Sequence, residues 1–375
     1  PSSSPSSSPS SSPSSSSCAD QVYNVEEMDV TSRKIICFER STADGSQRLR
    51  ILNHDGEPHA TVFPGATGLE PIPNPTFDTR WFGVRATSPC LPDRVVSLDL
   101  MEPNSSRLQQ AFSSGVDAGH VKGIDVRQLW VGDVPVTLAH SCAHGRDGSR
   151  RPLLVLCYGA YGISAPTRFD PALAVLIQEH GWSVATVHAR GGLELGREWY
   201  RQGTRLRKWN TFHDVIHAIE GLHAMGWGSP ECTVAKSWSA GGLVLGVLAN
   251  ERPDLVQAMV LRAPFLDVLR TMSDASLPLT RQEYPEWGNP ESSRTVHEYI
   301  ASYDPILNLG RSGKPMPSMF ISSSMADQRV SFQGPLRYVA GLRSLAPSQR
   351  PPHLVFHWSQ DDSHFGSGAA DEVAL

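Results

Sequence analysis

The pattern of apolar and polar positions changes near residue 124. Before that point, short apolar stretches alternate with polar positions and are separated by turn signals such as Asp44-Gly45 and Asp55-Gly56. Alternation with a period of two residues is typical of β-strands that bury one face. We therefore predict short strands in this part of the chain, at residues 34–39, 48–52, 81–86 and 94–100.

Beyond residue 124 a hairpin is predicted first, at residues 126–139 around Gly132-Asp133. From Pro152 onward, apolar runs of strand length alternate with segments of helical period. The predicted strands are 153–157, 182–188, 232–236, 258–261, 319–322 and 354–358. The predicted helices are 172–179, 215–222, 243–248 and 334–345. Strands that alternate with helices indicate a mostly parallel, doubly wound sheet covered on both faces.

One helix boundary is predicted from a short motif. Thr211 and Asp214 have the spacing of a capping box, which satisfies free backbone N–H groups at the start of a helix. We expect both side chains to cap the helix over residues 215–222.

These patterns divide the chain into three predicted segments: a Pro/Ser-rich disordered tract at 1–20, a β region at 21–123, and an α/β domain at 124–375. Strands spaced by about ten residues suit a meander or the blades of a β-propeller. A blade takes roughly 40–50 residues, so this β region makes about two blades and cannot close a ring. Unpaired strand edges should then remain, and we expect self-association through them.

The segment 231–250 carries the chemistry around which the second domain is organised. A predicted strand and a predicted helix meet at Ser239, with small residues Ser237 and Gly241 two positions away on either side. A strand, a sharp turn with an exposed serine and a helix form the nucleophile elbow of an α/β-hydrolase, usually written G-x-S-x-G. Ser237 replaces the first glycine and is small enough for the elbow to close. The alternative is that these small residues only allow close helix packing.

An acid and a histidine follow the serine in the chain order of an α/β-hydrolase triad. Asp327 lies just past the predicted strand 319–322, and His364 just past the predicted strand 354–358. In parallel sheets, active sites lie at the carboxyl ends of the strands. His364 is the predicted base for Ser239, and Asp327 is predicted to orient and stabilise the imidazole.

The negative charge that develops during acyl transfer needs hydrogen-bond donors. One predicted donor is the backbone N–H of Ala240, the residue after the nucleophile. The second is the hydroxyl of Tyr158, in the glycine-rich loop after the first strand of the α/β domain. Tyr161, on the same loop, is predicted to contact substrate. The alternative is that both tyrosines are packing residues.

Composition narrows the classes of partner. The 375 residues carry a formal net charge of −5, which favours neither nucleic acid nor an anionic membrane as a partner. No apolar run approaches the roughly 20 residues of a transmembrane helix. Six cysteines are widely spaced without a C-x-x-C motif, so we expect free thiols, a cytoplasmic location, and neither metal nor cofactor.

Longer segments over residues 126–366 resemble a known family. They read RPLLVLCYGAYG, HARGGLELGREWYRQG, SWSAGG, ERPDLVQAMVLRAPFLDVLRTM, LPLTRQEYPEWGNP and ADQRV. These strings resemble the prolyl oligopeptidase family of serine peptidases, in particular its oligopeptidase B and prolyl endopeptidase-like branch. The β region is similar only to the last part of the family's β-propeller.

The resemblance implies the same triad of Ser239, Asp327 and His364, and Tyr158 as the oxyanion tyrosine. It also implies substrate-binding roles for Arg329, which would grip a carbonyl; for Trp287, in the first specificity pocket; and for Glu283, one of two acids that select basic side chains. The position of the second acid is occupied by Pro285, which argues against selectivity for basic groups.

Three functions stay open at this point. The first is a serine hydrolase that cleaves short peptides through an acyl-enzyme. The second is an esterase or thioesterase with little peptidase activity, acting on acyl esters or thioesters. The third is a non-catalytic regulatory protein that retains the triad.

Overall fold

The computed structural model describes residues 22–43, 45–66, 68–103, 123–143, 151–165 and 167–364. The predicted Pro/Ser-rich tract at 1–20 lies outside them. In the β region, antiparallel strands form one four-stranded and one three-stranded sheet. The first sheet consists of β1 (Tyr23–Val30), β2 (Ile35–Ser41), β3 (Gln47–Leu52) and β4 (Pro58–Ala66). The second consists of β5 (Gly68–Pro71), β6 (Trp81–Ser88) and β7 (Leu91–Asp99).

Each sheet is a meander in which neighbours in sequence are neighbours in space. Alternate residues of β3 and of the first part of β6 are buried, as a period of two requires. Ile36, Phe38 and Leu49 of the first sheet form one core with Phe82 and Leu98 of the second. One four-stranded blade stacked on a three-stranded one is the predicted partial propeller.

The second architecture is an eight-stranded sheet whose first strand begins at residue 124. Its strands are β8 (Ile124–Val131), β9 (Val134–Ser141), β10 (Leu153–Cys157), β11 (Ser183–Val187), β12 (Thr233–Trp238), β13 (Ala258–Arg262), β14 (Ser318–Ser324) and β15 (Leu354–Ser359). Their order in the sheet is β15-β14-β13-β12-β10-β11-β9-β8. The strands from β10 to β15 are parallel to one another, and the hairpin β8-β9 adds antiparallel to β11. This is the predicted α/β-hydrolase sheet.

Helices connect and cover these strands. They are α1 (Pro171–His180), α2 (Arg197–Arg201), α3 (Trp209–Ala224), α4 (Gly241–Glu251), α5 (Val268–Met272), α6 (Thr280–Trp287), α7 (Arg294–Tyr303) and α8 (Gln333–Ser344). Residues 241–250 of α4 are all buried, because this helix follows the central strand β12 and is enclosed on every side. Within the described part of the chain, no helix has the length and apolar character needed to cross a membrane.

The predicted capping box at Thr211 and Asp214 is wrong. Helix α3 begins two residues earlier than Thr211, at Trp209, and the side chain of its cap residue, Lys208, makes no capping hydrogen bond to the first turn. The Thr211 hydroxyl donates to the carbonyl oxygen of Arg190 at 2.6 Å, and Asp214 accepts the Arg190 N–H at 2.8 Å. Both side chains are fully buried, so they satisfy the loop after β11 instead of the end of their own helix.

The direction of winding reverses at β10. Its parallel neighbours are β11 on one side and β12 on the other. In an open α/β sheet such a reversal leaves a crevice between the carboxyl ends of two neighbouring strands, here β10 and β12. Tyr158 follows β10 directly and Ser239 follows β12, so both lie at the mouth of this crevice.

Candidate active site

Ser239 occupies the turn between β12 and α4 in a strained conformation. Its φ is +52°, in the left-handed region that side chains other than glycine rarely adopt. Its N–H donates to the carbonyl of Arg262 at 2.9 Å, and its own carbonyl accepts from Phe265 at 2.9 Å. These bonds to the last residue of β13 and to the segment after it hold the bend, as a nucleophile elbow requires.

Ser237 contributes more to the elbow than its small size. It is fully buried, and its hydroxyl donates to the carbonyl oxygen of Cys157 at 2.6 Å. That bond joins the ends of β12 and β10, which carry Ser239 and Tyr158. A Cβ at Gly241 would lie 2.1 Å from the Ser237 Oγ, so a side chain at position 241 would displace the Ser237 hydroxyl from its bond to Cys157.

His364 joins the serine and the acid. Its Nε2 lies 3.0 Å from the Ser239 Oγ, and its Nδ1 lies 2.7 Å from the Asp327 Oδ2. Both contacts are within hydrogen-bond distance. Three residues that are far apart in sequence therefore form one continuous chain of hydrogen bonds at the edge of the sheet.

The Asp327 carboxylate is held in its ionised form. Burial favours the neutral acid, but hydrogen bonds from His364 and from the backbone of Val330 and Arg329 outweigh it and lower the pKa of Asp327. The two N–H donors contact Oδ1 at 2.9 and 2.8 Å, which leaves Oδ2 for the imidazole. An anion in this position fixes the ring orientation and favours a proton on Nδ1.

The Tyr158 side chain lies beside Ser239. It is buried, and its ring lies 5.2 Å from that of Trp238. Burial raises the pKa of Tyr158, against the opposing effect of the neighbouring Ser239 hydroxyl. The phenol therefore keeps its proton and can act as a donor. The Ala240 N–H, which opens the first turn of α4, makes no hydrogen bond to another described residue.

Three of the predicted substrate-binding residues form one cluster. The Nε1–H of Trp287 lies 3.2 Å from the Tyr161 hydroxyl and 3.2 Å from Glu283 Oε2. Trp287 is completely buried, while Tyr161 and Glu283 are half-buried. Burial raises the pKa of Glu283, against the hydrogen bonds from Tyr161 and Trp287. These neighbours already satisfy part of its hydrogen-bonding capacity.

Arg329 lies beside both Asp327 and this cluster. Its backbone N–H binds Asp327, and its side chain is exposed. Its positive charge acts to lower the pKa of Tyr158 and of Glu283, which places the guanidinium within electrostatic reach of both side chains. The fixed fork of an exposed arginine suits a carbonyl or carboxylate of a ligand.

Sequence reasoning missed a buried ion pair behind the Tyr158 loop. Lys208 Nζ donates to the Gly159 carbonyl at 2.6 Å and lies 3.4 Å from Glu286 Oε1. Glu286 also accepts the Tyr200 hydroxyl at 3.0 Å. The only sequence signal is a charged residue beside the apolar face of a helix, which is ordinarily a solvated position.

A cleft of about 1120 Å³ separates the β region from the α/β domain. Ser239 and His364 line it from the domain side, and Gln47 and Glu70 line it from the β region. Arg168 reaches across the cleft to Glu70, with its Nε 2.6 Å from Oε1. The β region therefore forms one wall of the approach to the serine.

Known proteins with similar sequences indicate the family to which this chain belongs. A sequence model of the Prolyl oligopeptidase family matches residues 167–374, more than half of the chain. A Prolyl endopeptidase-like protein of Rattus norvegicus is 38% identical over 241 residues, which are 62% of this chain and 32% of the relative. Dipeptidyl aminopeptidase BI of Pseudoxanthomonas mexicana is 32% identical over 331 residues, or 86% of this chain and 44% of that protein. The chain spans less than half the length of these curated relatives.

Solved structures show the same fold. Oligopeptidase B from Leishmania major superposes with a TM-score of 0.79 at 24% identity, covering 92% of this chain and 48% of that one. Oligopeptidase B from Trypanosoma brucei with covalently bound antipain gives a TM-score of 0.79 at 26% identity, covering 93% and 50%. The match to the family model, together with an elbow, an eight-stranded sheet and a partial propeller, establishes that this chain belongs to the prolyl oligopeptidase family.

Proposed function

We propose that the protein is a serine hydrolase that cleaves peptide bonds of short peptides through an acyl-enzyme on Ser239. The observation that carries the proposal is the chain of hydrogen bonds from Ser239 through His364 to Asp327, at 3.0 and 2.7 Å, on a strained elbow. A serine is a weak nucleophile until an adjacent base removes its proton, and this geometry supplies that base.

In the acylation step, Ser239 Oγ attacks the acyl carbon of the scissile bond while its proton passes to His364 Nε2. The carbonyl π bond opens and its electron pair becomes the oxyanion. Collapse of this tetrahedral intermediate breaks the carbon–nitrogen bond, and His364 gives its proton to the departing amine. Asp327 stays ionised and stabilises the imidazolium between the two transfers.

The oxyanion is proposed to accept hydrogen bonds from Tyr158 and from the Ala240 N–H. The pKa of Tyr158, raised by burial, favours this role, because a donor must keep its proton as the negative charge develops nearby. Ala240 adds the first free N–H of a buried helix, where the helix dipole favours an anion.

Deacylation reverses these roles with water as the nucleophile. His364 takes a proton from the water as its oxygen attacks the acyl carbon, then returns a proton to Ser239 Oγ as the ester bond breaks. The acid product leaves and the serine is regenerated. No metal or redox partner enters this balance.

The proposed substrate carries a neutral group next to the scissile bond. Glu283 is already bonded to Tyr161 and Trp287, and burial raises its pKa, so it offers a poor partner to a substrate cation. Glu286 is bonded to Tyr200 and Lys208 and is equally occupied. Arg329 is proposed to bind a substrate carbonyl from the exposed side of the site.

The test compares hydrolysis of an amide, an ester and a thioester that share one acyl group, for the wild type and for Ser239→Ala. The proposal predicts measurable amide hydrolysis, which Ser239→Ala reduces by about 10⁶ without lowering the melting temperature. Turnover of the ester and thioester with no amide cleavage would replace the peptidase by an esterase or thioesterase. Absence of all three reactions and of fluorophosphonate labelling would indicate a non-catalytic protein.

A further inference from the structure

We infer that Lys208 is a positioning residue for the oxyanion site, which it holds in place through the backbone carbonyl of Gly159, with Glu286 as its counter-ion. This inference rests on the proposed hydrolase function, in which Tyr158 donates a hydrogen bond to the oxyanion. Lys208 contacts neither the serine nor the histidine, so it would act only through the loop at residues 158–162.

The Lys208 side chain is shielded from solvent by its contacts. Its Nζ donates to the Gly159 carbonyl at 2.6 Å, lies 3.4 Å from Glu286 Oε1, and sits 4.8 Å from the centre of the Trp287 ring. Both Lys208 and Glu286 are fully buried. The hydrogen bond to the carbonyl is the shortest of the three contacts, so the loop backbone is the closest partner of the ammonium.

Gly159 is the residue through which such a contact controls Tyr158. Its φ of +71° lies in the left-handed region, and a Cβ there would meet Thr211 Cγ2 at 2.5 Å. Because a peptide unit is planar, a fixed Gly159 carbonyl fixes the plane between Gly159 and Ala160, and together with the left-handed φ of Gly159 it restricts the direction in which the chain leaves Tyr158. The position of the tyrosine hydroxyl depends on that direction.

The opposite end of the same loop is held by the same buried group of residues. Tyr161 has a φ of +58°, an unfavourable conformation for a bulky side chain that persists only when its surroundings enforce it. Its hydroxyl accepts from Trp287 Nε1, and Trp287 directly follows Glu286 in α6. Lys208 and Glu286 thus connect the oxyanion loop with the helix that carries the predicted specificity residues.

Lys208 is an unfavourable choice for stability alone. It precedes the first turn of α3, where the helix dipole disfavours a positive charge. Burial lowers the pKa of Lys208, and Glu286 offsets only part of that effect. An apolar pair of similar volume often stabilises a core at least as well as a buried ion pair. Residues that break such rules are expected at functional sites.

The first test uses Lys208→Met and the double variant Lys208→Met with Glu286→Gln. The single variant leaves Glu286 buried without its cation and should lower the melting temperature, while the double variant removes both charges and should recover much of it. We expect kcat for ester hydrolysis to fall by about tenfold to a hundredfold in both, with KM unchanged, as misplacement of a catalytic group does. Recovery of kcat together with stability would reduce the pair to a structural role and overturn the inference.

The matched control is Lys34→Met in the β region. Lys34 is also buried, and its Nζ donates to Asn53 Oδ1 at 2.6 Å. This variant removes a buried lysine and one hydrogen bond away from the loop, and we expect kcat to stay at the wild-type value. An equal loss of kcat in Lys34→Met would show that the Lys208 effect is not specific to the loop.

A second measurement asks whether Lys208 acts through Tyr158. In a Tyr158→Phe background, Lys208→Met should lower kcat by no more than about twofold, because contacts within one network are not additive. An undiminished effect in that background would contradict action through the tyrosine.

Hydrogen exchange of residues 158–163 supplies a readout that does not depend on activity. We expect the amides of this loop to exchange faster than in the wild type in the double variant, and at the wild-type rate in Lys34→Met. An unchanged exchange rate in the double variant would overturn the inference. A wild type that neither hydrolyses esters nor is labelled at Ser239 would instead overturn the hydrolase proposal, while the exchange data still decide whether Lys208 holds the loop.

Discussion

The two parts of this molecule bury apolar surface in different ways. The eight-stranded sheet is covered by helices, and the chain reverses its winding at its centre, between β10 and β12. The β region has a single core between two antiparallel sheets, and its first strand exposes Val25, Met28 and Val30. A sheet buried on both faces provides rigid strand ends, and Ser239, Asp327 and Tyr158 lie at those ends. The proposed chemistry thus belongs to the α/β domain, and we propose that the β region, which lines the opposite wall of the cleft, controls access.

The strongest test of this proposal changes Asp327, the proposed acid of the triad. Asp327→Asn should reduce kcat by about 10⁴, because the neutral amide no longer favours the productive tautomer of His364. Asp327 also binds two backbone N–H groups at Oδ1, which an asparagine oxygen can still accept, so the melting temperature should change little. Steady-state rates beside a thermal melt test this, and full activity in Asp327→Asn would remove Asp327 from the mechanism.

The sheet and the strand–turn–helix around Ser239 could be predicted from the sequence because these features leave local signals, whereas the catalytic roles of Ser239, Asp327 and His364 stay predictions. Apolar runs marked β10, β12 and β14, and each predicted site residue follows the end of its strand. The contacts that refine the site join residues far apart in sequence. Ser237 bonds to Cys157 and Lys208 to Gly159, and nothing in the neighbouring residues indicates these partners.

The capping-box error has the same origin. Thr211 and Asp214 have the correct residue types and spacing for a helix cap, but they lie beside the buried backbone of Arg190. A buried N–H and carbonyl that need partners outweigh a local preference. Residue types alone do not indicate whether such side chains cap their own helix or bond to buried backbone elsewhere in the chain.

The next largest effect should come from Tyr158, the proposed oxyanion donor. Tyr158→Phe removes one hydrogen bond to the developing charge while keeping the ring against Trp238, so kcat should fall by about 10²–10³. KM should stay near the wild-type value because the bond forms mainly in the transition state. A rise in KM with kcat unchanged would instead make Tyr158 a substrate-binding residue.

A pair of cavity variants sharpens the division between the regions. Phe38→Ala and Leu248→Ala each remove a buried side chain, the first between the two β sheets and the second in α4, and each should cost about 3–5 kcal/mol of local stability. Phe38→Ala should expose the β region to protease while hydrolysis of a small ester continues. Leu248→Ala should lower activity and stability together, and equal loss of activity in both would contradict the division.

The smallest expected effect concerns the edge of β1. Among the described strands, β1 pairs only with β2 and presents exposed apolar side chains, so we propose that the protein self-associates through it. Met28→Lys should reduce the apparent mass in light scattering, because an edge lysine opposes strand addition, and leave ester hydrolysis unchanged. A wild type that stays monomeric at all concentrations would contradict the proposal.

The proposed mechanism requires that Ser239 is acylated during turnover. The direct measurement is rapid acid quenching with a slowly hydrolysed ester, followed by mass spectrometry of the proteolytic peptide that contains residues 237–241. We predict an added acyl mass on Ser239 in the wild type, and none in Ser239→Ala. Because Ser237 is buried and bonded to Cys157, it should remain unmodified and serves as an internal control. Turnover without an acyl group on Ser239 would contradict the account.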